Sequence, residues 1–139
     1  MMLFLDTDTL SYFLSGNSTV VDKMNKAIND NMQICLTSIN VYEILKGLRY
    51  KSARREEQQF YDFLKNITVF HMTDNSIKLA ADIYASLRKR GITVGDADIL
   101  IASLVITHNG KLITNNIKHY KSISNLIIEN WFVVKTQCI

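Results

Sequence analysis

The sequence predicts an α/β protein in which helices cover both faces of a mostly parallel sheet. Short apolar runs alternate with longer segments of helical spacing, and this alternation is typical of βαβ units. Proline, internal repeats and low-complexity tracts are absent from the 139 residues. We expect one domain over residues 1–139, which at 47% hydrophobic content is large enough to bury a core.

Five apolar runs are the candidate strands. In chain order they are "MLFL", "QICLT", "ITVFHM", "KLIT" and "NLIIENWFVV". Parallel strands that are covered on both faces read as nearly continuous apolar runs, so these segments predict buried strands. Ligands of such sheets gather at the edge where the carboxyl ends of the strands meet.

Six segments of helical spacing accompany these runs. They are residues 9–14, 19–29, 41–50, 55–66, 76–90 and 97–108. The fifth segment has apolar side chains on one face that we expect to pack on the core, namely Ile77, Ala80, Ala81, Tyr84 and Leu87. The sixth is apolar almost all round, which predicts a central helix.

Composition narrows the class of protein. Residues 1–5 are too short and lack the basic flank of a secretory signal, and no apolar run approaches the ~20 residues of a membrane-spanning helix. Cys35 and Cys138 have the spacing of neither a metal site nor a disulfide framework, so both are expected to be reduced and structural. We therefore expect a soluble cytoplasmic protein with no membrane partner.

Acidic and basic residues are unevenly placed along the chain. The net charge of +3 permits a polyanionic partner without requiring one, and the bases concentrate in "LKGLRYKSARR" and "LRKR". His71, His108 and His119 share no motif and are expected to be structural or surface residues. Several acids, by contrast, lie at the ends of apolar runs, which makes them the candidate site.

Carboxylates occur at three predicted strand–helix junctions. Asp6 and Asp8 follow the first apolar run, Glu43 lies just past the second, and Asp96 and Asp98 precede the central helix. Clustered carboxylates repel and raise one another's pKa, so a cluster that is ionised at neutral pH implies a cation. Oxygen ligands favour Mg²⁺ or Mn²⁺ over zinc, and such an ion is typical of phosphoryl chemistry.

Three of these acids also have a structural interpretation. Asp96 fits a helix N-cap, with Asp98 as a first-turn acid favoured by the helix dipole. Asn40, followed three residues later by Glu43, has the form of a capping box. Only the joint pattern favours a functional site.

The chain resembles PIN-domain ribonucleases, and among them the VapC-type toxins of bacterial toxin–antitoxin pairs. The resemblance rests on "FLDTDTLSYFL", "TSINVYEILKGL", "GDADILIASLVITHNGKLITNNIKHYKSI" and "LIIENW". Its most specific part is "DILIA" followed by "LITNN" and an aromatic residue, Tyr120. The resemblance implies a PIN-like three-layer α/β/α sandwich with a central, mostly parallel sheet of four to five strands.

The family pattern implies a catalytic metal site on this chain. Asp6, Glu43 and Asp98 match its three metal-binding acids, and Asp96 resembles an accessory acid of many relatives. The fourth family position falls at Asn116, where many PIN domains carry aspartate, so the site loses one charge.

Supporting residues and the reaction follow from the same resemblance. Thr7, Asp8 and Thr114 would orient ligands and waters, and Asp8 would also cap the next helix. The implied reaction is hydrolysis of a phosphodiester by a water activated at Mg²⁺, or at Mn²⁺, with 5′-phosphate and 3′-hydroxyl products.

The implied partners are RNA, often the anticodon region of tRNA, and a cognate antitoxin. The antitoxin would lay a helix in a groove and point a basic side chain into the acidic site, and the toxin would form a homodimer. Candidate phosphate contacts are Lys46, Arg49 and Lys118. Candidate platforms for base stacking are Tyr12, Tyr50 and Tyr120.

Two other functions fit parts of the sequence. "FLDTDTL" resembles the Asp-x-Asp-x-Thr motif of haloacid-dehalogenase-type phosphatases, in which the first aspartate is the nucleophile. The last motif of those enzymes requires an acid shortly after Asp96, where Leu100 and Ile101 stand. Asn116 in turn permits a degenerate module that binds RNA or an antitoxin without cleavage.

Overall fold

A computed structural model describes residues 1–132 of the chain. Within them the strands are β1 (Met2–Leu5), β2 (Gln33–Thr37), β3 (Thr68–Phe70), β4 (Lys111–Ile113) and β5 (Ile127–Glu129). The helices are α1 (Thr7–Leu14), α2 (Ser18–Asn29), α3 (Ser38–Tyr50), α4 (Arg54–Leu64), α5 (Asp74–Lys89), α6 (Asp96–Thr107) and α7 (Ile117–Tyr120).

The strands form one sheet in the order β3-β2-β1-β4-β5, and every neighbouring pair is parallel. Phe4 in β1 pairs with Cys35 in β2 and with Leu112 in β4. The α/β prediction is confirmed, and the sheet has five parallel strands. Because β1 lies between β2 and β4, the strand order reverses at β1, and a ligand site is expected at the carboxyl end of this strand.

Two hydrophobic cores lie on opposite faces of the sheet. Leu3 and Leu5 pack with side chains of α1 to α4, whereas Phe4 points the other way and packs with α5 and α6. Gly110 lies beside Phe4, where an added Cβ would come within 2.6 Å of Phe4 Cε2. The three-layer arrangement is confirmed, and no helix within residues 1–132 is long and apolar enough to cross a bilayer.

The buried face of α5 is rotated by part of a turn from the predicted one, although Ala80 and Leu87 are buried as predicted. Ile77 is 54% exposed and Tyr84 is 44% exposed, while Ser76 and Ile83 are buried instead. Ser76 is buried because it completes a capping box with Thr73 at the start of the helix. A polar cap residue thus occupies a position that an apolar pattern assigns to solvent.

The two edge strands are shorter than the apolar runs that predicted them. β3 and β5 have three residues each, and each pairs with a neighbour on one side only. The four-residue helix α7 is too short to show helical periodicity in the sequence. Cys35 is a buried free thiol, as expected, whereas Cys138 lies outside the described residues.

Candidate active site

Asp6 is the buried acid at the centre of the carboxyl edge. It follows β1 and caps α1, where its Oδ1 accepts a hydrogen bond from the Thr7 N–H at 3.0 Å. Its own N–H donates to the Ile113 carbonyl oxygen at 2.9 Å, which ties the end of β1 to β4. Asp6 is only 4% exposed, so the sheet and helix fix the position of its carboxylate.

Side chains from two further elements hold this carboxylate. Thr114, directly after β4, donates from Oγ1 to Asp6 Oδ2 at 2.8 Å. Asn40 in α3 donates from Nδ2 to Asp6 Oδ1 at 3.2 Å. Both oxygens of Asp6 therefore accept hydrogen bonds from groups whose own positions are set by neighbouring strands.

Burial raises the pKa of Asp6 to about 6, against a usual value of 3.8. The negative charges of Asp8 and Asp98 act in the same direction, while hydrogen bonds from Thr114 and the Thr7 N–H lower the pKa. A bound cation would favour the ionised form, so the electrostatics of this edge are suited to a positive ligand.

Glu43 joins the same network through a hydroxyl group. Thr7 Oγ1 donates to Glu43 Oε1 at 2.7 Å and accepts from Asn40 Nδ2 at 3.1 Å. Asn40 is fully buried and bridges Asp6 and Thr7. Glu43 is thus connected to Asp6 through two intervening side chains.

The predicted capping box of Asn40 and Glu43 is wrong. α3 begins earlier than predicted, at Ser38, and its cap is Thr37, whose Oγ1 accepts from the Asn40 N–H at 3.1 Å. Thr37 Oγ1 also donates to Asn40 Oδ1 at 2.6 Å. Because Thr37 binds the backbone N–H and the side-chain oxygen of Asn40, the side-chain Nδ2 remains available to donate to Asp6 and Thr7.

Asp98 lies in the first turn of α6, on the other face of the sheet. Its Oδ1 accepts from the Tyr120 hydroxyl at 3.1 Å, and its Oδ2 lies 3.1 Å from His119 Nδ1. The pKa of the Tyr120 phenol is raised above its usual range by burial, by the charges of Asp6 and Asp98, and by its hydrogen bond to Asp98. Tyr120 is therefore a neutral donor to Asp98.

Asp96 does not cap α6, as one interpretation of the sequence proposed. Gly95 is the N-cap, and Asp96 is an exposed first residue of the helix. It lines a shallow groove of about 310 Å³ together with Ile77 and Tyr84 of α5. The structure thus places Asp96 on the α5 side of α6.

Asp8 supports the site in a different way from the predicted helix cap. The cap of α1 is Asp6, and Asp8 lies in the first turn, where its Oδ1 accepts from the Thr9 N–H at 2.6 Å. Its Oδ2 accepts from the Asn115 N–H at 3.0 Å. Asp8 therefore fastens α1 to the loop that follows β4.

Asn116 occupies the end of that loop. Its N–H donates to Thr114 Oγ1 at 3.0 Å, and the residue is exposed at the start of α7. The loop thus holds Thr114 in the orientation from which it donates to Asp6.

Three residues in this network were not assigned to it from the sequence. The prediction that Tyr120 is a stacking platform is wrong, because it is 1% exposed and contacts Asp98. His119 contacts Asp98, whereas His71 is exposed and His108 packs its ring 4.2 Å from that of Phe70. For Asn40, the signals in the sequence were its position three residues after the second apolar run and its capping-box spacing to Glu43.

The candidate nucleic-acid contacts differ in their surroundings. Arg49 Nε lies 3.2 Å from Glu57 Oε1, and Lys46 Nζ lies 5.2 Å from the centre of the Tyr42 ring. Lys118 is exposed in α7, next to His119. Among the remaining aromatic candidates, Tyr50 is 90% exposed, and Tyr12 stacks on Phe132 with ring centres 4.3 Å apart.

Comparison with known proteins gives a consistent result. Residues 3–123 match the model of the PIN domain. The chain is 30% identical to Ribonuclease VapC2 of Rickettsia felis over 94% of this chain and 98% of that protein. It is 23% identical to the tRNA(fMet)-specific endonuclease VapC of Salmonella typhimurium, over 94% and 98% respectively.

A solved structure shares the fold. The crystal structure of VapBC2 from Rickettsia felis bound to a DNA fragment from their promoter contains a chain that superposes with a TM-score of 0.87. The two chains are 28% identical, and the match covers 94% of this chain and 99% of that one.

Proposed function

The chain belongs to the PIN-domain family, and on that premise we propose that it is a metal-dependent endoribonuclease toxin of the VapC type, neutralised by a cognate antitoxin. The supporting observation is the placement of three acids at the carboxyl edge of the sheet. Asp6 and Glu43 share one hydrogen-bonded network through Asn40 and Thr7, and Asp98 is close enough for its charge to raise the pKa of Asp6. These are the three positions that match the metal-binding acids of the family.

Mg²⁺ is the proposed ion, and Mn²⁺ is a substitute. No three His, Cys, Asp or Glu side chains in residues 1–132 come close enough to enclose a metal ion. Mg²⁺ keeps several waters and needs only one or two carboxylates, so a sparse set of oxygen ligands fits it. Asp6 and Asp98 would hold it directly, and Glu43 through water.

The chain's own residues orient the groups of the reaction. When bound, the ion supplies positive charge that favours ionised water and stabilises charge on the phosphate. Asn40 and Thr114 keep Asp6 from rotating, and Thr7 does the same for Glu43. Such prior orientation lowers the barrier because little reorganisation remains when the substrate binds.

The proposed substrate is single-stranded or loop RNA, with tRNA as the favoured class. The Salmonella relative is named as a tRNA(fMet)-specific endonuclease. Lys118 is exposed and directly precedes His119, which contacts Asp98. A phosphate contact by Lys118 would place the RNA backbone beside the acids. Arg49 is less available because it is paired with Glu57.

The antitoxin is proposed to occupy a groove of about 570 Å³ between α1, α3 and α4. Thr7 and Glu43 line this groove along with Tyr12 and Leu48, so a basic side chain of the antitoxin placed there would reach the acidic network. Binding of this kind would compete with metal and RNA. The homodimer, the cytoplasmic location and the single domain over residues 1–139 stay predictions.

The two other functions are less well supported by this geometry. A haloacid-dehalogenase-type phosphatase requires an acid shortly after Asp96, where Leu100 and Ile101 stand, and residues 3–123 match the PIN domain instead. A degenerate RNA-binding module rests on Asn116 alone, and that residue is exposed at the border of the acidic network.

Magnesium-dependent cleavage of total tRNA by the purified protein tests the proposal. We expect Asp6→Ala and Asp98→Ala to reduce the cleavage rate by at least about 100-fold, because each removes a ligand of the ion. Asp82→Ala, which removes an exposed carboxylate of α5, is the matched control and should cleave normally. Undiminished cleavage by both site variants, or RNA binding without cleavage by the wild type at any Mg²⁺ or Mn²⁺ concentration, would contradict it.

A further inference from the structure

Tyr120 is the largest fully buried side chain in residues 1–132, and its polar atom lies in the acidic site. The ring belongs to the core between the sheet and α6, together with Leu112 and Ile123. Its hydroxyl donates to Asp98 Oδ1 at 3.1 Å. A buried ring has little freedom to move, so the hydroxyl is presented at a fixed point.

That point lies near two like charges. The Tyr120 hydroxyl donates to Asp98 in the first turn of α6, and the negative charge of Asp6, at the end of β1, also acts on the phenol. Two carboxylates that face each other without a cation repel. A neutral O–H group near them supplies one donor, so it reduces the repulsion without removing the negative charge that a cation needs.

We propose that Tyr120 is a positioning residue that holds Asp98 in register with Asp6 and thereby strengthens the binding of the divalent ion. The hydrogen bond uses one lone pair of Asp98 Oδ1, and His119 Nδ1 lies 3.1 Å from Oδ2, so each oxygen of the carboxylate keeps a lone pair for ligation. Asn116 removes a charge at the family's fourth position, so the affinity of this site depends more on the placement of the remaining acids. This inference rests on the proposed metal site.

The test is the affinity of the purified protein for Mn²⁺ alone, measured by the electron paramagnetic resonance of the free ion and without RNA. Tyr120→Phe keeps the ring and removes the hydroxyl. We expect it to weaken Mn²⁺ binding by about 10-fold, because loss of a side chain that orients a ligand typically costs 10–100-fold. The melting temperature of the same samples reports whether the variant is folded.

Tyr61→Phe is the matched control. The Tyr61 phenol also donates to a carboxylate, that of Glu57 at 3.1 Å, but on α4 and outside the acidic network. It should leave Mn²⁺ affinity unchanged. In an Asp98→Asn background, Tyr120→Phe should cause no further loss, since the carboxylate through which Tyr120 acts is already absent.

The outcomes separate this inference from the proposed function. Equal Mn²⁺ affinities of wild type and Tyr120→Phe, with wild-type binding intact, overturn the role of Tyr120 alone. An equal loss in the Asp98→Asn background also overturns it, because the effect would then not pass through Asp98. Failure of the wild type to bind Mn²⁺ overturns the proposed function and this inference together.

Discussion

Asp6 shows how much of the site a single residue's local sequence can predict. Its place after an apolar run predicted a strand-end acid, and the structure finds it there, buried at the reversal of strand order. Its partners Asn40 and Thr114 are 34 and 108 residues away, and no spacing rule connects such positions. The apolar pattern therefore predicts the acid, the family resemblance adds Thr114, and only the structure adds Asn40 as a donor to Asp6.

Burial of Asp6 has a measurable effect on stability. Its pKa of about 6 exceeds the usual 3.8, so the folded, metal-free protein binds this proton more tightly than the unfolded chain. The free energy of unfolding therefore decreases as the pH rises from about 4 to about 6. Above pH 6 the full destabilisation by the buried, ionised carboxylate is present. We therefore expect Asp6→Asn, which mimics the neutral acid, to raise the free energy of unfolding at pH 8 by roughly 1–3 kcal/mol.

The measurement is urea unfolding of metal-free wild type and Asp6→Asn between pH 4 and pH 8. The gap between the two proteins should shrink as the pH falls through the pKa of Asp6. Asp82→Asn changes an exposed aspartate and should follow the wild type at every pH. A gap that stays constant with pH would show that the carboxylate of Asp6 carries no such cost.

At the level of elements, helix ends were predicted less well than helix centres. α1, α3 and α5 each begin two or three residues before the predicted start, because Asp6, Thr37 and Thr73 cap them. Apolar periodicity identifies the part of a helix that packs on the core, so it does not detect a polar first turn. The sequence allows Asn40 to cap a helix or to lie in the first turn of a helix that Thr37 caps. The structure shows the second arrangement, in which the Asn40 side chain donates to Asp6.

Two of these caps allow a matched test of how an element serves the site. Thr37→Val and Thr73→Val each remove the hydroxyl that caps a helix, so each should lower the free energy of unfolding by about 1–2 kcal/mol. Only Thr37 also orients Asn40, which donates to Asp6. We therefore expect only Thr37→Val to weaken Mn²⁺ binding. The measurement is a Mn²⁺ titration at a temperature where both variants are folded. Equal Mn²⁺ affinities of the two variants would argue against coupling between the α3 cap and the site.

At the scale of the whole molecule, the alternation of apolar runs and helical segments predicted the layers and the parallel sheet. The strand order was not predicted, because it depends on how the helices cross the sheet. That order brings the ends of β1, β2 and β4 side by side, and with them Asp6, Asn40 and Thr114. α7, invisible to periodicity, then adds His119 and Tyr120 beside Asp98.

Because the acids lie at the carboxyl edge of the sheet, basic residues at the two opposite edges are expected to contribute differently to RNA binding. Lys118 is exposed at the carboxyl edge of the sheet, whereas Lys26 lies in the last turn of α2, just before β2 begins, and hence at the opposite edge. Lys26 is also paired with Asp30 at 3.2 Å. If RNA lies across the acidic edge, only Lys118 can neutralise a phosphate and release its counterion.

We therefore expect Lys118→Ala to weaken RNA binding and to reduce the slope of log affinity against log salt concentration by about 1, with similar effects on RNAs of different sequence. Lys26→Ala removes the same charge and should change neither quantity. Both variants are made in the Asp98→Asn background, so that bound tRNA is not cleaved during titration at several salt concentrations. An unchanged salt slope for Lys118→Ala, or an equal change for Lys26→Ala, would mean that the RNA backbone does not pass beside α7.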